Sequence, residues 1–454
     1  MPAPNQAAVI AEELEFRGEA ARSGPLTWGQ LAIWDVLHWL PADDTSLTLT
    51  GSVPVPPGAG MAAVREALRA LVERHESLRT SYHDHEGEPW QTARDQGPLS
   101  VIVRESDGED VAGAVRLATH ELRSLPFDLA ADLPLRVCVV TRHRSPAAVA
   151  LAVCHMAVDA WSLEIVLEDL SALLAAPSPD AAALPEAGQQ PLERGAYEQS
   201  KAGQARERQA LDYWRARVDE APSTMLESLP QPVRPNLGWA RIESPALADA
   251  VGRIARRTNA KPSTVVLAAV ARLLARQKGE RNAALRLIVA TRFRPETRRL
   301  VGAFNQNALF VVPVDDEPFD AFVTRAAKAS YLAYAHSEYD PRKVESLVSD
   351  LVQRRGLEPD GYCFFNDMTF RESTEPGEAG EAPSPDPDAT VVTEPDRDRF
   401  PKGATFFLYL MRLSGSAVLE ICADRRFLAP GTVPGFLRDL ADLAVAAADE
   451  TAAP

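Results

Sequence analysis

The chain has 454 residues, 46% of them hydrophobic, and a formal net charge of −16. That charge argues against a nucleic-acid or acidic-membrane surface, and no apolar run approaches the roughly 18 residues that a membrane span requires. The four cysteines, Cys138, Cys154, Cys363 and Cys422, are far apart and form no CxxC pair, so they imply neither a disulfide framework nor a zinc site and suit a reducing cytoplasm.

Residues 1–23 read as an acidic, flexible lead-in, without the basic region and apolar core of a secretory leader. GPLTWGQLAIWDVLHWL, residues 24–40, predicts a strand or turn feeding a helix with a Trp-rich apolar face. From Met61 to His75 the apolar residues Val64, Leu68, Leu71 and Val72 share one helical face, with Arg65, Arg69 and Glu73 outside. This helix ends in RHESLRTSY, residues 74–82, where Arg74, Glu76 and Arg79 are spaced for a helix-end ion-pair network. A hairpin follows, with strands at 81–85 and 88–92 around Gly87. Its His83 and His85 lack a third ligand, so no metal site is expected there. A helix from Val111 to Arg123 leads to two strands, Leu135–Val140 and Ala147–Val153, which the intervening turn makes antiparallel neighbours.

The second of these strands is uncharged, β-branched and alanine-rich, the composition of a strand buried on both faces. From Ala160 onward Leu163, Val166, Leu167, Leu170, Leu173 and Leu174 recur at helical spacing, so the strand must end near Cys154. His155 therefore sits at the rim of a packed sheet, on a rigid element. From the residues alone it reads first as a satisfied structural histidine and second as a proton-transferring imidazole; Asp159 reads as the cap of the following helix.

Residues 177–191, rich in Pro, Ala and acidic side chains and without periodicity, are the expected interdomain linker. A charged helix ending in LDYWRARVDEAP, a helix over Pro262–Gln277, a strand over Ala284–Ala290, and helices over Phe319–His336 and Arg342–Arg355 come next. Tyr362–Thr369 reads as a strand bearing Cys363 and Asn366. The acidic, Pro-bearing stretch that follows, near 371–399, reads equally as a surface loop or an active-site latch. A hairpin around Gly415 and a terminal helix over Val433–Ala448 complete the chain.

Several strings, in order, carry a family resemblance. Cys154, His155 and Asp159, with Ala160, Trp161 and Ser162, resemble the HHxxxDG signature of the condensation-domain superfamily of nonribosomal peptide synthesis, whose relatives include chloramphenicol acetyltransferase. Cys154 replaces the first His and Ala160 the Gly. Leu26, Thr27, Gln30 and Trp34 are similar to the opening motif, Arg74–Tyr82 to RHExLRTxF, Phe127–Arg136 to FDLxxxPLxR, and Tyr213 and Trp214 to YWxxxL. Gly302 and Phe304 are similar to GxFxNT, with Gln306 and Asn307 in place of the Asn and Thr.

The resemblance implies an α/β (α+β) fold of two acetyltransferase-like lobes in a V-shaped pseudo-dimer with a central tunnel, one over 24–176 and the other over 192–454. It implies attack by an amine, less often a hydroxyl, on an acyl thioester. No cofactor is expected to be bound; the substrates arrive on phosphopantetheine arms of carrier proteins, in trans or within a synthetase, with a small free amine as another acceptor. In this frame His155 handles the proton, Asp159 and Arg292 organise the site as an ion pair, and Ala160, Cys154 and Ser162 lie where an oxyanion or substrate would be positioned. Gln306, Asn307 and Asn366 are tunnel candidates. The alternatives are a catalytically silent module that binds a carrier protein or recruits an enzyme, and an ester-forming acyltransferase.

Overall fold

The computed structural model describes residues 9–226, 237–355, 362–373, 390–395, 404–428 and 432–450. The chain divides into two units, the first Met1–Ala205 with Ala290–Asn305, the second Arg206–Val289 with Gln306–Pro454.

The first unit contains, in order, β1 (Val9–Arg17), β2 (Arg22–Pro25), α1 (Trp28–Trp39), β3 (Thr48–Pro54), α2 (Met61–Arg74), β4 (Thr80–His85), β5 (Glu88–Ala93) and β6 (Gln96–Glu105). After these come α3 (Val111–Arg123), β7 (Leu135–Arg142), β8 (Ser145–Cys154), α4 (Ala160–Ala175), α5 (Pro191–Gln199) and the start of α6 (Lys201–Glu220). A five-stranded sheet runs β1-β6-β7-β8-β3, and a three-stranded one β2-β5-β4. β7 and β8 are antiparallel, as expected, and β8 lies between β7 and β3. Val149, Leu151 and Val153 contact one core with α2 and α4, while Ala148, Ala150 and Ala152 contact another with α3. A strand covered on both faces has no place for charge, which is why this one carries none.

The N-terminal expectation is overturned. Residues 9–17 are not a loose lead-in but an edge strand, β1, in register with β6 from Val9–Arg104 to Arg17–Gln96. The acidic residues concealed a period-two pattern: Leu14 and Phe16 are buried, Glu12 on the same face is held by Arg65 of α2 at 2.7 Å, and Glu13 and Glu15 face out. Residues 177–191 also depart from the expected linker. They lie within the first unit, where Leu184 packs on the core and the Gln189 N–H donates to the Glu296 carbonyl at 2.9 Å. The boundary falls instead inside α6, so residues 192–205 and 290–305 belong with the first unit. The Pro-rich composition recorded irregular backbone, not a separation of domains.

The second unit contains β9 (Leu237–Ser244), α7 (Pro245–Thr258), α8 (Pro262–Lys278), β10 (Asn282–Val289), β11 (Gln306–Pro313), α9 (Phe319–Ala335), α10 (Pro341–Arg355), β12 (Tyr362–Asp367), β13 (Val391–Thr393), β14 (Ala404–Arg412), β15 (Ala417–Asp424) and α11 (Thr432–Asp449). One sheet runs β11-β10-β12-β14-β15-β9-β13. The apolar, alanine-rich α8 is buried along most of its length within the main core of this unit. Of the stretch near 371–399, read equally as a surface loop or a latch, Val391–Thr393 forms a short edge strand on β9 of this same unit; residues 374–389 and 396–399 lie outside the described residues.

Candidate active site

β8 ends at Cys154, whose N–H donates to the Pro134 carbonyl at 2.9 Å, and the chain turns at once, with the Ala157 N–H returning to the Cys154 carbonyl at 2.9 Å. The next N–H, that of His155, donates to the Leu47 carbonyl at 2.9 Å, and the buried Tyr82 hydroxyl donates to the Met156 carbonyl at 3.1 Å. The turn is thus closed on itself by one bond and tied to three other parts of the first unit, at Pro134, Leu47 and Tyr82. α4 begins at Ala160 and is capped by Asp159, whose Oδ1 accepts the Ser162 N–H at 2.8 Å.

Asp159 also pairs with Arg292. The Arg292 guanidinium meets its carboxylate with both prongs, Nη1 to Oδ2 at 2.8 Å and Nη2 to Oδ1 at 2.9 Å, with both side chains only 4% exposed. A buried carboxylate needs this degree of satisfaction, because its desolvation is offset only by close, well-aligned donors. The Phe304 N–H supplies one more donor, to Oδ2 at 3.0 Å. Ser162 belongs to this lock rather than to a substrate surface. It is fully buried, and its Oγ accepts from Arg292 Nη2 at 2.6 Å and from the Gly302 N–H at 3.0 Å while donating to the Gly302 carbonyl at 2.8 Å. Its expected role in positioning substrate is corrected accordingly.

His155 is a half-buried residue whose Nδ1 is fully buried and has no hydrogen-bond partner of normal geometry. Burial lowers its pKa below the ordinary value, opposed by nearby carbonyls and by the Asp159 charge, so the ring is neutral at pH 7. Cys154 is an apolar filler. It packs with Leu26, Ile33, Trp34, Tyr82 and Met156, and burial pushes its thiol up to about 11, far from a reactive thiolate. Ala160 occupies the first turn of α4, where a helix leaves N–H groups without intrahelical partners.

The remaining expected residues lie elsewhere. Gln306, Asn307 and Asn366 are in the second unit, on β11 and β12. Gln306 is buried and donates to the Tyr339 carbonyl at 3.2 Å, which commits its amide to the scaffold. Asn307 and Asn366 are half-buried and project from the sheet face opposite the main core, since their neighbours Ala308 and Phe365 contact that core. Arg74, Glu76 and Arg79 are all ion-paired or hydrogen-bonded, but to Asp169, to Arg22 and to the Arg94 carbonyl respectively, not to one another as their spacing suggested. His83 is half-buried and His85 exposed, and among the described residues no group of three or more His, Cys, Asp or Glu is arranged to hold a metal.

Thr291, which no motif or periodicity marks, has φ +38°, a left-handed conformation that a β-branched residue rarely adopts. Its hydroxyl donates to the Phe304 carbonyl at 2.6 Å, fixing the backbone just before Arg292. Thr291→Val keeps the strain and orphans that carbonyl, at an expected cost of about 1–3 kcal/mol. Thr291→Gly loses the same bond but releases the strain, so it is expected to stay within about 1 kcal/mol of the parent. Urea midpoints of the two variants check this ordering; Val at or above Gly would refute the compensation.

Among the described residues no helix is long and apolar enough to cross a membrane. The model of the condensation-domain family matches residues 25–358. Phosphinothricin tripeptide synthetase PhsC of Streptomyces viridochromogenes is 32% identical over 292 residues, 62% of this chain and 26% of that protein. The chain spans about a quarter or less of the length of the first curated relatives it matches. SgcC5 protein from Streptomyces globisporus is similar at TM-score 0.69 and 22% identity, over 95% of this chain and 100% of that one. The condensation domain of the enacyloxin polyketide synthase is similar at TM-score 0.70 and 22% identity, over 96% and 85%. With the family model matching well over half its length, the chain belongs to the condensation-domain family.

Proposed function

We propose that this chain forms an amide by attack of an amine on an acyl or aminoacyl thioester held on the phosphopantetheine arm of a carrier protein. The observation that carries this reading is His155: its pKa is lowered by burial, so that the neutral form prevails at pH 7, and it is seated on the turn that leads into the Asp159–Arg292 pair. The amine nitrogen attacks the thioester carbonyl, His155 accepts the proton that the nitrogen sheds, and the C–S bond breaks to release the pantetheine thiol, which recovers a proton. The first-turn N–H at Ala160 contributes, in this reading, to holding the tetrahedral oxyanion. Asp159 and Arg292 do not react; they hold the turn. Carrier proteins are the expected partners because relatives such as the phosphinothricin tripeptide synthetase are named as peptide synthetases.

Two other readings stay in view. Cys154 and Ala160 depart from the HHxxxDG pattern, which favours a silent module that binds a carrier or recruits an enzyme. The similar SgcC5 structure is a complex with an aryl-ethanediol, which favours a hydroxyl acceptor and an ester product. The test supplies acyl groups on isolated carrier proteins with a panel of amines and of diols, with products read by mass spectrometry. Amide product supports the proposal, ester product replaces it with the acyltransferase reading, and carrier binding without product supports the scaffold.

A further inference from the structure

The segment 290–305 leaves the sheet of the second unit after β10 and lies in the first unit along one face of α4. Arg292 holds Asp159 and Ser162 at the start of that helix. Two turns beyond Ser162, about 10 Å along the axis, the same helix presents a second buried carboxylate, Asp169, with 2% of its side chain exposed. Its Oδ1 accepts Arg299 Nη2 at 2.6 Å, and its Oδ2 accepts Arg74 Nε and His75 Nε2, each at 2.9 Å. Arg299 reaches Glu168 as well, at 3.1 Å. Burial works to raise the Asp169 pKa, but the His75 hydrogen bond and the Arg74 and Arg299 cations bring it below the usual value, so the carboxylate stays ionised. Between the two carboxylates, the Trp161 Nε1–H donates to the Arg298 carbonyl at 3.3 Å.

We infer that Asp169 and Arg299 are positioning residues: they set the register of residues 290–305 along α4, so that Arg292 meets Asp159 with both prongs and the His155 turn keeps its place. The geometry supports this over a purely local ion pair because Arg292 and Arg299 are seven residues apart on one short segment, while Asp159 and Asp169 bracket the first nine residues of α4. A slip of this segment at Arg299 is transmitted to Arg292 through the Leu300 and Gly302 carbonyls, which Arg292 and Ser162 contact directly. The RHE string thus acts through His75 and Arg74, which hold Asp169 from the other side. This inference rests on the reading of His155 given above for its kinetic part only.

The test uses the full chain labelled with 5-fluorotryptophan, the Trp161 ¹⁹F signal being assigned by Trp161→Phe. Arg299→Met is expected to shift or broaden the Trp161 signal and to lower kcat about tenfold with KM for the acyl-carrier substrate held within about twofold, the sign of misplacement rather than lost binding. Arg299→Lys, which retains the charge, is expected to recover most of both. If Arg299→Met leaves the signal and kcat unchanged, or changes KM alone, the inference falls. A parent without turnover removes the reading of His155, and the ¹⁹F signal then decides the positioning claim by itself. Should Arg299→Met fail to fold, Arg299→Gln is read by the same two measurements.

Discussion

Arg292→Leu is expected to destabilise the first unit by about 3–5 kcal/mol, because it strands a buried carboxylate rather than removing a pair. Asp159 would keep the Ser162 and Phe304 N–H groups as donors but lose both guanidinium prongs in a site that is 4% exposed. Asp159→Asn is expected to cost less. Asn remains a good helix cap, and Arg292 keeps the Ala290 and Leu300 carbonyls and the Ser162 hydroxyl as acceptors. The double variant is expected to be more stable than Arg292→Leu alone, since the stranded charge is then gone. With two units a single unfolding free energy is poorly defined, so local hydrogen exchange over residues 155–163 is the sharper measurement. Fast exchange in Arg292→Leu, partly restored in the double variant, is the expected pattern; parent-like protection in Arg292→Leu would show that the pair carries no local stability.

That pair also marks how far the sequence could be read. The junction of β8 and α4 was legible because two periodicities meet there: an uncharged run that suits only a doubly covered strand, and a helical recurrence that begins at Ala160. The capping role of Asp159 was legible for the same reason. Its pairing with Arg292, 133 positions away, has no local signature and followed from the family resemblance alone. Two more of the lock's parts are backbone groups, the Gly302 carbonyl and the Phe304 N–H, which composition cannot report. Thr291 was opaque because its positive φ is imposed by tertiary contact against its own preference. β1 was hidden by chemistry rather than distance: glutamates supplied the outward face of an edge strand, and acidic composition reads as solvation unless the alternation of Leu14 and Phe16 is counted. In each case the missed feature was specified by what packs against the segment.

His155→Ala is expected to reduce kcat by about 10²–10⁴ if the imidazole is the proton acceptor, the usual contribution of a positioned base. The same substitution is expected to cost about 1 kcal/mol or less of stability, because the ring is only half-buried and Ala leaves no polar group behind. Lost rate with little lost stability separates a working imidazole from a packing one. The pH profile adds the sign. Burial holds the His155 pKa below its ordinary value of 6.5, so the neutral, competent form persists into mildly acid solution. The parent's kcat/KM for the acyl-carrier substrate, at saturating amine, should therefore rise with pH along a limb whose midpoint lies below 6.5, and His155→Gln should lack that limb at a far lower plateau. A limb centred above 6.5 would mean that the ring is held protonated in the free enzyme, and equal turnover by the parent and His155→Ala would remove the base. In either case the work would pass to the amine's own solvent equilibrium and to oxyanion stabilisation at the start of α4, the part of the site that needs no proton acceptor.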